Sequence, residues 1–145
     1  MNPYSQKPDL AYAQTRWIPT LQNDFATRAD WCIKDFKNAN HPPSVFLTHA
    51  NVLTAKPNEK VKLRGKASDP DGDKLTFKWW QYEEVGTYKG KINLSTDRRD
   101  GKFSVSTFTM PNDIKKGETI HIILEVSDSK TLPLTRYQRV IIVGS

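Results

Sequence analysis

The sequence predicts an all-β fold, a two-sheet sandwich of about seven short strands that follows an N-terminal helical connector. Apolar and polar residues alternate in short runs from residue 44 onward, and turn-forming residues separate the runs. One of two adjacent tryptophans, Trp79, falls on the more apolar face of the third run. The 145 residues are enough for one such domain with a short appendage.

Residues 1–43 predict a separate segment made of an extended arm, one amphipathic helix and a proline linker. Apolar side chains recur there at helical spacing, at Trp17, Leu21, Phe25, Ala29, Cys32 and Phe36. Asn23 or Thr20 is the candidate N-cap after Pro19. A single helix must bury its apolar stripe against something. The stripe can lie on the following domain or belong to a domain that precedes it, so we interpret residues 1–43 as a helical connector and 44–145 as the sandwich.

Seven runs predict the strands of the sandwich. They are Val45–Leu47, Lys60–Ala67, Lys74–Tyr82, Lys91–Leu94, Phe103–Thr109, Thr119–Ser127 and Leu134–Val143. In the third run Trp79 shares a face with Leu75 and Phe77, whereas Trp80 and Tyr82 lie on the opposite face. This number of strands and an inward tryptophan on the third are typical of an immunoglobulin-like sandwich.

The stretch "DPDGD", Asp69–Asp73, predicts a tight turn between the second and third strands. It is not an EF-hand, because the required glycine and final carboxylate positions hold Lys74 and Trp80. Pro70 and Gly72 suit a turn with one left-handed residue. Calcium is the alternative, with four candidate ligands at Asp69, Asp71, Asp73 and Asp128. No other cofactor is predicted.

The net charge of +6 raises the question of a nucleic-acid partner. The most regular basic series, Lys60, Lys62, Arg64 and Lys66, has a period of two and predicts a solvated strand face. No nucleic-acid-binding motif accompanies it, so no nucleic-acid partner is predicted. No apolar run reaches about 18 residues, so membrane insertion is not predicted either.

The side chains that catalysis requires are scattered. His41, His49 and His121 have neither HxH nor HExxH spacing, and the single cysteine, Cys32, has no CxxC partner. The sequence therefore predicts a domain that is not an enzyme and has no catalytic residues.

The outward aromatic face is the candidate binding surface. If the third and sixth strands pair, Trp80 and Tyr82 lie beside His121, Ile123 and Glu125. Such a patch usually marks a contact. The helix of this chain, a neighbouring domain and a carbohydrate ring are all possible partners. The residues themselves favour the helix, which needs a surface to cover its stripe.

Several motifs resemble one bacterial family. They are "NDFATRADW" from Asn23, "ANHPP" from Ala39, "DPDGDKLTFKWWQYEEVGTY" from Asp69, and "IHIILEVSD" with "LPLTRYQRVII" between Ile120 and Ile142. They are similar to the C-terminal part of bacterial cellulose-binding proteins that carry a nucleoside-hydrolase-like N-terminal domain. The resemblance implies a periplasmic or secreted, non-catalytic accessory domain of a larger protein, with residues 1–43 as the end of the preceding hydrolase-like domain. The larger protein is then itself a candidate hydrolase-like enzyme.

Two functions follow as expectations. The first is binding of a cellulose-like polysaccharide through Trp80, Tyr82 and Tyr88, with His121 beside them. The alternative is a structural docking domain that packs on the neighbouring hydrolase-like domain of the same polypeptide and has no ligand of its own.

Overall fold

A computed structural model describes residues 11–145, and only the backbone of residues 96–99. The helical elements are α1 (Tyr12–Thr15), α2 (Ile18–Trp31) and one 3₁₀ turn (Phe36–Asn38). The strands are β1 (Ser44–Leu47), β2 (Val52–Ala55), β3 (Lys60–Ser68), β4 (Thr76–Gln81), β5 (Ser95–Arg99), β6 (Phe103–Thr109), β7 (Thr119–Ser127) and β8 (Thr135–Gly144). The first ten residues of the predicted arm lie outside the described residues. Its described part includes α1 and is therefore partly helical.

The strands form two four-stranded sheets, with the orders β1-β3-β6-β5 and β2-β8-β7-β4. Strand β2 runs parallel to β8, whereas β7 pairs antiparallel with both β4 and β8. This is the strand order of an immunoglobulin-like sandwich, with β3, β6 and β5 in one layer and β4, β7 and β8 in the other. The predicted fold class is confirmed.

Two strands differ from the prediction. Strand β2 was missed because it is a four-residue edge strand, too short to display an alternating pattern. The prediction of a strand at Lys91–Leu94 is wrong, since the strand in this part of the chain is β5, which begins at Ser95. Ile92 donates its backbone N–H to the Gln81 side chain instead of to a neighbouring strand, at 2.9 Å.

Trp79 lies in the core between the sheets. It is 7% exposed, and its Nε1 donates a hydrogen bond of 3.0 Å to the Oγ of the fully buried Ser104. Gly65 of β3 leaves room for this packing, because a Cβ there would lie 2.2 Å from a methyl group of Leu124. The opposite face of β3 carries the exposed basic series, as expected.

Helix α2 lies on the sandwich through its polar side. Thr20 Oγ1 and Tyr137 Oη lie 3.0 Å apart in a hydrogen bond, and Asn23 Nδ2 donates to the Pro133 carbonyl at 3.3 Å. The predicted caps were wrong, because the helix begins at Ile18 with proline in its first turn. Thr20 and Asn23 bind the sandwich instead of capping the helix. Among the described residues, no helix is long and apolar enough to cross a membrane.

His41 connects the end of the helical segment to the turn that starts at Asp69. Its backbone N–H and its Nδ1 lie 2.6 Å and 2.8 Å from the two carboxylate oxygens of Asp71. Its ring stacks on Trp31 at a centroid distance of 5.8 Å and packs against Phe36 at 4.0 Å with a tilt of 34°. Burial raises the pKa of Asp71, but the hydrogen bonds from His41 outweigh it and hold that pKa below its ordinary value.

The bond between Trp79 and Ser104 generates the first prediction. Trp79→Phe leaves the buried Ser104 hydroxyl without its partner, which costs about 1–3 kcal/mol beyond the lost packing. We expect the Trp79→Phe/Ser104→Ala double variant to lose less stability than the sum of the single variants. Urea unfolding of all four proteins measures this coupling. Strict additivity would contradict it.

The His41 contact generates a pH prediction. Because the native pKa of Asp71 is lowered, its stabilising contribution is present above its ordinary pKa and is lost as the pH falls through the native value. We expect His41→Ala to cost about 1–3 kcal/mol at pH 7. The cost should shrink as the pH falls below 3.8, the ordinary pKa of an aspartate, and through the lowered native pKa of Asp71.

Urea unfolding at several pH values tests this, with His49→Ala as the matched control. His49 bonds only its neighbour's carbonyl among the described residues. A His41→Ala deficit that stays the same at every pH would refute the role assigned to Asp71.

Candidate functional site

The outer face of the β2-β8-β7-β4 sheet carries an aromatic cluster. Strands β4 and β7 pair as predicted, with Trp80 opposite Ile123. On the other side of β7, Tyr137 of β8 lies opposite Glu125. Because alternate residues of a strand point to the same face, these side chains lie together outside the main core. Ile123 is only 4% exposed, so this face has a small apolar centre of its own.

Trp17 inserts into this cluster from the start of α2. Its ring centroid lies 5.8 Å from that of Trp80, 5.9 Å from Tyr82 and 5.0 Å from Tyr137. The contacts with the two tyrosines are edge-to-face, a favourable geometry for aromatic rings. Trp80 and Tyr82 are consequently half-buried, and their rings are tilted by 59° relative to each other.

Arg16 adds a cation to the cluster. Its guanidinium carbon lies 5.2 Å from the ring centroid of Trp80 and 5.5 Å from that of Tyr82. The guanidinium also forms an ion pair of 2.7 Å with Glu84. The indole Nε1 of Trp80 donates to Glu125 Oε2 at 2.9 Å, which holds the ring in one orientation.

A cleft of about 350 Å³ lies between α2 and this sheet. It is lined by aromatic rings, hydroxyls, an amide and charges of both signs, contributed by Tyr12, Arg16, Trp17, Pro19, Thr20, Lys78, Trp80, Gln81, Glu125 and Tyr137. Burial raises the pKa of Tyr137, so its hydroxyl stays protonated at neutral pH. Aromatic faces with hydrogen-bonding groups around them suit a hydroxylated ring.

Tyr88 and His121 lie apart from the ring contacts of the cluster. Tyr88 packs against the main core, and its hydroxyl donates to Asp113 at 3.0 Å. His121 is half-buried on the outer face, and its carbonyl accepts the Tyr82 N–H at 2.8 Å. Burial and the charge of Arg139 lower the pKa of His121. It is therefore neutral at pH 7.

Sequence reasoning missed Arg16, Trp17 and Tyr137 as members of the cluster. Trp17 had been counted with the apolar stripe of the helix. Its spacing of four residues from Leu21 places the two side chains about 40° apart on one helix face, so no sequence signal separates them. In the structure Trp17 is the residue before the first turn of α2 and turns to the sheet.

Three of the four predicted calcium ligands come together. Ligand oxygens of Asp69, Asp73 and Asp128 lie within 4.8 Å of one another. Asp71 lies outside this group, because its carboxylate bonds His41. Asp69 Oδ1 accepts the N–H of Asp71 at 2.9 Å and of Asp73 at 3.1 Å, and Gly72 has a φ of +78°. The tight turn predicted here is therefore present.

The carboxylate group has oxygens that lack partners. Asp69 Oδ2, Asp73 Oδ2 and Asn40 Oδ1 are buried and accept no hydrogen bond from the described residues. Asn40 Nδ2 donates to Asp128 Oδ2 at 3.0 Å, and Lys130 Nζ lies 3.0 Å from Asp73 Oδ1. Burial raises the pKa of Asp69. An all-oxygen group of this kind fits a hard divalent cation.

Comparison with known proteins covers most of the chain. The family model of the C-terminal domain of cellulose-binding protein Sde0182 matches residues 60–143, more than half of the chain. The chain is also similar to a nucleoside hydrolase-related hypothetical protein from Saccharophagus degradans that is associated with carbohydrate metabolism. The two share 30% identity with a TM-score of 0.77, and the match covers 90% of this chain and 32% of that chain.

Two further solved structures are similar at lower identity. Murine CRIg matches 72% of this chain and 99% of its own, at 9% identity and a TM-score of 0.46. The SrpA adhesin of Streptococcus sanguinis matches 72% of this chain and 57% of its own, at 10% identity and a TM-score of 0.47.

No curated protein matches the chain. The chain spans about a third of the length of the Saccharophagus degradans protein. From the family-model match, the chain belongs to the family of the C-terminal domain of cellulose-binding protein Sde0182.

Proposed function

We propose that this chain is a non-catalytic, carbohydrate-binding accessory domain of a larger extracytoplasmic bacterial protein. The observation that carries the proposal is the cleft beside Trp80, where an oriented indole is surrounded by hydrogen-bonding side chains. The family model is named after a cellulose-binding protein, and the Saccharophagus degradans protein is associated with carbohydrate metabolism. Both names agree with this function.

The geometry favours a soluble sugar chain over the flat face of crystalline cellulose. A flat face requires coplanar aromatic rings, but Trp17 and Trp80 are tilted by 40° and Trp80 and Tyr82 by 59°. The volume of about 350 Å³ lies at the lower end of ordinary ligand sites and suits one or two sugar rings. The proposed contacts are Trp80 for stacking and Lys78 for hydroxyl groups. Tyr82 supports Trp80 from the side, and Tyr88 and His121 lie outside the contact.

Isothermal titration with cellohexaose tests the carbohydrate proposal. We expect Trp80→Ala to weaken binding at least tenfold, because a stacked ring face is lost. Lys78→Ala, which leaves the aromatic cluster in place, should weaken binding several-fold. Phe46→Ala is the matched control, since Phe46 is an exposed aromatic on the other sheet. Absence of binding by the wild type, or equal binding by all variants, would overturn the proposal.

A pull-down on insoluble cellulose tests the preference for a soluble sugar chain. We expect the insoluble cellulose to retain little protein.

Docking on a nucleoside-hydrolase-like domain is the second candidate function. What favours it is the contact of Trp80 with Trp17 and Arg16 of the same chain, because the expected binding face is already partly covered. A domain with this function alone would not bind cellohexaose in the titration. In the longer polypeptide, the neighbouring domain would shield part of its surface from solvent.

We also propose that Asp69, Asp73 and Asp128 bind calcium, with Asn40 beside them. A bound cation would be coordinated by the oxygens that lack partners, and it would relieve the repulsion between three close carboxylates.

We expect 1 mM calcium to raise the Tm of the wild type by several degrees relative to EDTA. Asp71→Asn should keep this shift, whereas Asp128→Asn should lose it. An unchanged Tm in the wild type would refute the site.

A further inference from the structure

The outward side of α2 carries an exposed apolar stripe, which we define as Ile18, Leu21 and Phe25. These side chains are 43%, 64% and 75% exposed. At 100° per residue their directions fall within about 60° of one another, so they form one continuous stripe. Ile33 and Phe36 beyond the helix end are 83% and 73% exposed. Amphipathic helices normally turn such a stripe towards a protein core.

Contacts on the opposite side of α2 hold the stripe away from the sandwich. Thr27, which is 3% exposed, points about 150° from the centre of the stripe, and Thr20, which bonds Tyr137, points about 130° from it. Arg136 of β8 also reaches Asp24 at 3.2 Å. Rotating the helix to bury the stripe would break these polar contacts and remove Trp17 from the aromatic cluster. The stripe is therefore free for a partner other than this sandwich.

The remaining exposed large apolar side chains do not form a comparable row. Phe46 and Phe103 share a face of one sheet, but Lys66 lies between them, and Val52 lies in the other sheet. Single exposed apolar residues are normal on a protein surface. The stripe on α2 is distinct because its members share one face of one helix.

Comparison with the Saccharophagus degradans protein points to the partner. Its match covers 90% of this chain, whereas residues 44–145 are fewer than three quarters of it, so the match includes much of the helical segment. The matched part is only 32% of that protein. The family model is a C-terminal domain, so in such proteins other chain precedes it, on the side where α2 lies. The helix thus belongs to the shared structure and adjoins the remainder of the longer protein.

We infer that the stripe of Ile18, Leu21 and Phe25 is the surface on which a preceding nucleoside-hydrolase-related domain docks. This inference rests on the second candidate function, docking, and adds the surface that makes the contact. The helix is then a two-sided connector: its polar side and Trp17 bind the sandwich, and its apolar side binds the preceding domain. The outward aromatic cluster and its cleft stay outside the interface.

Hydroxyl-radical footprinting tests the surface. The two samples are this chain alone and a chimera in which this chain replaces the matching third of the full-length Saccharophagus degradans protein. We expect oxidation of Leu21 and Phe25 to fall at least fivefold in the chimera, because docking excludes solvent from them. Phe46 is the control and should be oxidised equally in both samples.

Each other outcome overturns the inference in a distinguishable way. Protection of a different surface with Phe25 unchanged would keep docking as the function but remove the stripe as its surface. No protection anywhere on this chain would overturn docking itself and the inference with it. Protection of Phe25 that grows with the concentration of this chain alone would identify a second copy as the occupant, and so refute the hydrolase-related partner.

A paired variant gives an independent measurement. In the chimera, Leu21→Gln/Phe25→Gln keeps helix propensity but removes the apolar stripe. We expect its calorimetric unfolding to separate into two transitions, whereas the control Phe46→Gln/Val52→Gln should unfold like the parent chimera. Unfolding that is the same for both variants would contradict the inference.

Discussion

The insertion of Trp17 between Trp80, Tyr82 and Tyr137 is the interaction on which the rest of the arrangement depends. It fixes the start of α2 against the outer face of one sheet and brings Arg16 over the same rings. With this end of the helix fixed, its polar side falls on the sandwich and its apolar side faces solvent. Both proposed surfaces, the cleft and the stripe, are consequences of that single anchor.

The two sides of the helix have different physical roles. Towards the sandwich, hydrogen bonds such as Thr20 to Tyr137 give direction at modest net stability, because each replaces bonds to water. Away from the sandwich, Leu21 and Phe25 keep apolar area in water. That exposure is unfavourable in the isolated chain and becomes favourable when another surface covers it. A polar side inward and an apolar side outward suit an element that joins two folded bodies.

At the other end of the helical segment, His41 has a similar joining role. It stacks on Trp31, packs against Phe36 and bonds Asp71, so the proline linker and the tight turn are held to each other. This explains why Asp71 is not with Asp69, Asp73 and Asp128, although spacing alone made Asp69, Asp71 and Asp73 equivalent in sequence. The alternating spacing of these aspartates predicts that their side chains lie close together. Tertiary contacts decide which of them share a site.

By itself, the sequence determined the sandwich, its inward Trp79 and the outward position of Trp80, because a period of two is a local property of a strand. It also determined that a helix precedes the sandwich and that Leu21 and Phe25 share an apolar stripe on it, but it wrongly added Trp17, which packs on the sheet, and Cys32 and Phe36, which lie beyond the helix end. The sequence did not predict edge strand β2, since four residues are too few to show an alternating pattern. Only the tertiary structure decided which side of the helix meets the sandwich. Amphipathic periodicity identifies an apolar side but not its partner, and here Trp17 and a few directed polar bonds outweigh the burial of Leu21 and Phe25 on this domain.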